Sequence, residues 1–135
     1  MTDANNRKRQ TKGTPIGRWF TQKVRTMTTN TGVLDGLTKD ERFAAARNSN
    51  TPTVVLTQLA SDEDEYVRSE VADNSNTPPE ALTQLASDEI EYVRRRVAYN
   101  PNTPPEALTQ LASDEREKVR RGVANNPNTP PGVKQ

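Results

Sequence analysis

The apolar positions of this chain return at a fixed interval. Reading from Asn74, a first group, Leu82, Leu85 and Ala86, falls at helical spacing on one face. Val93 and Val97 follow one turn apart. Polar Asn, Thr, Pro, Ser and Asp residues separate the groups, and the whole pattern recurs every 26 residues. The units are Asn48 to Asp73, Asn74 to Tyr99 and Asn100 to Asn125. A partial unit covers 37–47 and another begins at Asn126 and runs to 135. A fixed period of this length predicts a stacked array, in which each unit covers its neighbour's apolar face.

Each unit predicts two helices. In the second, Thr77 is expected as N-cap, with Pro78 at the first helical position and Glu80 completing a capping box. The next helix is expected to start at Asp88, with Glu91 three residues on. The first helix is short, with 3-10 character expected in part.

Composition fits a thin array better than a compact globule. Only 30% of the residues are apolar and 4% aromatic. There is no cysteine and no histidine. Thiolate chemistry is therefore excluded, and the commonest general base and metal ligand is missing. The six glycines form no phosphate loop. The Ser-Asp-Glu triplets at 61–63, 87–89 and 113–115 recur as capping residues would. The expectation is a protein that is not an enzyme and takes no cofactor or metal. No apolar run is long enough to span a membrane and no leader is visible, so a cytoplasmic location is expected.

Charge divides the chain. Residues 1–30 carry seven basic residues and one acid, a +6 arm, whereas the remainder carries a net −5. Residues 1–13 are expected to be a disordered basic tail, with Arg7, Lys8, Arg9 and Lys12 as its candidate nucleic-acid contacts. Residues 14–36 are read as a helix with its linker. Ile16, Trp19, Phe20, Val24 and Met27 share a face that could cap the array, bind a partner or nucleic acid, or lie on a membrane surface. No membrane association is expected. The repeat domain is 37–135.

The run N-P-N-T-P-P-E-x-L-x-x-L-A-x-D followed by V-R-x-x-V-A, clearest from Asn100 to Ala124, resembles the leucine-rich repeat variant (LRV) repeat. The resemblance covers about residues 37–131 and implies an all-α fold: a short right-handed α-solenoid of two-helix (α/3-10) repeats, HEAT-like in general design. It implies a scaffold for protein–protein interaction and brings no activity. The cysteine cluster of some relatives has no counterpart here. The first unit departs from the pattern, with Thr53-Val54 where later units have Pro-Glu. Separately, Arg9 to Phe20 is similar to a G-T-P-x-G-G-Q-F segment near the N-termini of many actinobacterial and phage or plasmid proteins, with Arg18-Trp19 in place of Gly-Gln. That similarity implies a bacterial or phage origin.

Three polar columns recur with the period: Asp62, Asp88 and Asp114; Arg68, Arg94 and Arg120; and Asn50, Asn76, Asn102 and Asn128. Capping, stem packing and loop bonds account for all three as scaffold. The positions that vary are better candidates for recognition. Residues 92, 95, 96 and 99 share a helical face, expected to be open because it points away from Val93 and Val97. Tyr and Arg are enriched at binding hot spots. The candidate partner-binding patch is Tyr92, Arg95, Arg96 and Tyr99, flanked by Lys118 and Arg121. The expected partner is a protein. Nucleic acid binding through the arm and the Arg-rich face is the alternative, and the C-terminal end is a candidate for self-association.

Overall fold

The computed structural model describes residues 33–133. A 3-10 turn, Val33–Gly36, leads into seven α-helices: α1 (Lys39–Arg47), α2 (Thr53–Leu59), α3 (Glu65–Asp73), α4 (Pro79–Leu85), α5 (Glu91–Tyr99), α6 (Pro105–Leu111) and α7 (Glu117–Asn125). There is no strand among the described residues. Nine-residue helices alternate with seven-residue helices, one pair per 26-residue unit. The long helices α1, α3, α5 and α7 pack side by side in sequence order, and the short ones form a second row.

One continuous core runs through the stack. Leu56, Leu59, Leu82, Leu85, Leu108 and Leu111 from the short helices meet Val67, Val71, Val93, Val97, Val119 and Val123 from the long ones, all essentially buried. Because the leucines and valines of successive units form one cluster, burial of apolar area couples the units.

Both predicted helix starts need correction. The short helix begins at Pro79, not Pro78, and has no side-chain cap. Pro79 carries no N–H, so one donor that a cap would serve is missing. Thr77 is buried and donates its hydroxyl to the Val71 carbonyl at 2.6 Å, closing the end of the preceding long helix. Thr51, Thr103 and Thr129 do the same to Ala45, Val97 and Val123. The short helices are α-helical, with i→i+3 bonds confined to their ends, such as Ala81 N–H to Pro78 and Ser87 N–H to Gln84.

The long helix begins at Glu91, not Asp88. Asp88 instead accepts from the Ile90 N–H at 2.9 Å, making an Asx turn, and receives Arg68 Nε at 2.7 Å from the previous unit. Among the long helices α3 is capped by a side chain, Asp64, which accepts from the N–H groups of Tyr66 and Val67. A full capping box does occur, at Thr38 and Glu41 of α1. The T-K-D-E spelling at 38–41 carries that signal and the repeat hides it.

The polar columns hold the units together. Arg42–Asp62, Arg68–Asp88 and Arg94–Asp114 pair across consecutive units at 2.6–2.7 Å, with side chains 6–17% exposed. Asn76, Asn102 and Asn128 donate to loop carbonyls one unit back. A further column, unremarked in the sequence, lies deeper. Asn74, Asn100 and Asn126 are buried, and each side-chain amide bonds two carbonyls, one 26 residues back at the start of the previous unit and one 28 residues back in the long helix before it. These asparagines satisfy the Ala46, Ala72 and Ala98 carbonyls and give a second donor to the Asn48, Asn74 and Asn100 carbonyls, which already accept from the Thr51, Thr77 and Thr103 N–H groups.

Candidate interaction face

With the repeated polar residues engaged between units, the variable residues of the long helices remain. Their row is not the open face that the helical wheel predicts. The long helices lie so close that positions 69 and 122 are buried between them. Three equivalent cross-helix pairs show what this does. Arg47 meets Glu70 at 3.8 Å, Asp73 meets Arg96 at 3.3 Å, and Tyr99 meets Gly122. One site in the stack is thus filled in turn by two ion pairs of opposite polarity and by a ring lying on a bare backbone.

The structure places the six candidate residues on neighbouring helices α5 and α7, in different settings. Tyr92 is half-buried. Its ring stacks on Tyr66, with centroids 5.9 Å apart at 20°, and its hydroxyl donates to the Glu65 carboxylate. Burial pushes the Tyr92 phenol above its ordinary value, and the bond to Glu65 adds to this. Arg96 is held by Asp73 and more distantly by Glu70. Arg95 is half-buried and pairs with no acid among the described residues. Tyr99 is 48% exposed. Lys118 and Arg121 are exposed, Arg121 bonding Glu117 within its own helix at 2.8 Å. That exposed pair is screened and leaves the guanidinium available. Arg7, Lys8, Arg9 and Lys12, residues 14–32 of the expected helix and linker, and the Arg9–Phe20 similarity all lie outside the described residues.

Two features of this face escaped the sequence reading. Phe43 occupies on α1 the position held by Ser69, Arg95 and Arg121 further along, and Arg47 lies over its ring at 5.7 Å. Between α1 and α3, Lys39, Asp40, Phe43, Asp64 and Tyr66 line an open cleft of about 320 Å³. A second cleft, about 480 Å³, lies between α5 and α7 against Glu91, Arg116, Glu117 and Lys118. The period could have located both, since each lies where two long helices begin.

No cluster of three or more metal-ligating residues occurs among the described residues, and no described helix is long and apolar enough to cross a membrane. Paired helices, one core and cross-unit polar ladders define a helical repeat array. The leucine rich repeat variant family model matches two tandem segments, residues 67–90 and 93–116, which start 26 residues apart. No curated protein and no solved structure matches the chain. Repeats of this family are generally protein-interaction modules of a non-catalytic type.

Proposed function

We propose that this chain is a non-catalytic scaffold that binds a protein partner through the face formed by its long helices, centred on Tyr92, Arg95, Arg96 and Tyr99 with Lys118 and Arg121. One observation carries the reading. Most polar residues that recur from unit to unit bond a neighbouring unit, whereas most of the residues that change gather on this row, the other changes being Thr53-Val54-Val55 against Pro79-Glu80-Ala81 and Ser75 against Pro101. Of the three exposed large apolar residues among those described, Tyr66 and Tyr99, at 59% and 48%, lie on this row and Val54, at 43%, on the short-helix row. Tyrosine and arginine offer large, amphipathic contact area to a partner.

The test is a comparison of two variants in partner capture. The first carries Tyr99→Ala, Lys118→Glu and Arg121→Glu. The second carries Glu80→Lys and Glu106→Lys, exposed residues of the short-helix row. The reading expects the first to lose its partner, the second to keep it, and both to melt as the parent does. Equal capture by both variants overturns it.

A further inference from the structure

The three junctions between long helices are the same site repeated, and the middle one is filled. There Tyr92 stacks on Tyr66 and its hydroxyl satisfies Glu65. At the first junction the corresponding place is the cleft against Phe43 and Tyr66. At the third, Glu91 stands where Glu65 stood, and Lys118 stands where Tyr92 stood. The Glu91 Oε2 atom is buried without a hydrogen-bond donor, at the cleft that Arg116 and Lys118 also line. A buried carboxylate oxygen left unpaired is costly, so this cleft favours whatever brings an O–H or N–H to it. Arg116 and Lys118 make no ion pair among the described residues, whereas Glu117, which also lines the cleft, pairs with Arg121, so acidic side chains complement the two remaining cations of the rim.

We infer that the two open junctions are subsites for one extended segment of another protein, with a bulky apolar side chain in the Phe43–Tyr66 cleft and an acid-flanked tyrosine whose hydroxyl donates to Glu91. This deepens the proposed docking face and rests on it. The template for the second subsite is the chain's own Tyr92–Glu65 contact. Charge complementarity sets the flanking residues. The spacing follows from the fold. Packed helices lie about 8–10 Å apart, so two steps across the row span roughly 16–20 Å. An extended chain at about 3.3 Å per residue covers that in five or six residues.

The experiment measures fluorescence anisotropy of labelled twelve-residue peptides with the full chain. The lead peptide carries a tryptophan and, six residues on, a tyrosine between glutamates. Controls replace the tyrosine with phenylalanine, replace the glutamates with lysine, or set the two aromatics side by side. A twelve-nucleotide single-stranded DNA is the nucleic-acid control. The lead peptide is expected to bind at least about tenfold tighter than the lysine and side-by-side controls, and about fivefold tighter than the phenylalanine control. Glu91→Gln should erase the tyrosine–phenylalanine difference. Tyr66→Ala should weaken the lead peptide about tenfold with an unchanged circular dichroism spectrum. Binding indifferent to spacing or to the hydroxyl, stronger binding of the DNA, or no binding of any peptide overturns the inference. If partner capture still depends on Tyr99, Lys118 and Arg121 in that event, the docking face stands and only these subsites fall.

Discussion

Tyr99 lies against Gly122 across the junction of α5 and α7. A Cβ built on Gly122 would fall 2.8 Å from the Ala98 Cβ and 2.9 Å from ring carbons Cδ2 and Cε2 of Tyr99. The equivalent pairs, Arg47 with Glu70 and Asp73 with Arg96, are charged. Tyrosine at 99 therefore requires the absence of a side chain at 122. Helix propensity alone would favour Gly122→Ala by about 0.5–1 kcal/mol. The contact with Ala98 cannot be relieved by rotating a side chain, so overpacking should win. A net loss of about 1–2 kcal/mol in urea denaturation is expected, with part of it recovered in the Gly122→Ala, Tyr99→Ala double variant.

Asn100 donates to the Ala72 carbonyl at 2.7 Å and the Asn74 carbonyl at 3.1 Å while itself buried. Its own side-chain oxygen accepts from the Asn102 N–H at 2.8 Å. Asn100→Ala strands the Ala72 carbonyl and the Asn102 N–H, while the Asn74 carbonyl keeps its bond from the Thr77 N–H, and should cost about 1–3 kcal/mol. Asn102→Ala, at an exposed position, should cost less than half as much in the same denaturation series.

The Arg94–Asp114 pair gives the stack an acid limit. Burial pushes the Asp114 carboxyl up, but the Arg94 guanidinium and the Arg116 N–H outweigh it and hold the group below the ordinary carboxylate value. A group lowered on folding stabilises the native state above its unfolded value, about pH 4, and that contribution disappears as pH falls through the lower folded value. The melting temperature should accordingly drop on acidification below about pH 4. Asp114→Asn should flatten that drop while lowering stability at neutral pH.

The period itself is open to test. Removing residues 74–99 joins Asp73 to Asn100, and Asn100 then meets the Ala46 and Asn48 carbonyls that Asn74 holds in the parent. That deletion should leave a folded, less stable array. Removing 74–86 alone should abolish cooperative unfolding by circular dichroism, because it leaves a long helix without its leucine row.

The architecture was legible because period and apolar spacing both survive in every unit. Val93 and Val97, Leu82 and Leu85 announced one buried stripe each, and the structure buries them. Cap positions were misread for a physical reason. Thr77 and Asp88 are residue types that cap helices, yet both serve bonds that local sequence does not contain: Thr77 reaches back to Val71, and Asp88 receives Arg68 from another unit. The Asn74, Asn100, Asn126 column went unnoticed for the same reason, since its acceptors lie 26 and 28 residues away. The helical wheel put Tyr92, Arg95, Arg96 and Tyr99 on one face of a helix. It could not show that a neighbouring helix half-covers Tyr92 and takes up Arg96, because a wheel describes one helix alone. Phe43 and Tyr66 were visible as residues, but the cleft between them exists only once α1 and α3 pack.

Site-specific photocrosslinking addresses the docking face most directly. A photoreactive amino acid replaces Tyr99 or Lys118 on the long-helix row, and Thr83 or Thr109 on the exposed short-helix row. Crosslinks to one and the same partner from 99 and 118, with none from 83 and 109, are the predicted result. Crosslinks from 83 and 109 with none from 99 and 118 would contradict the assignment and move the docking surface to the opposite row.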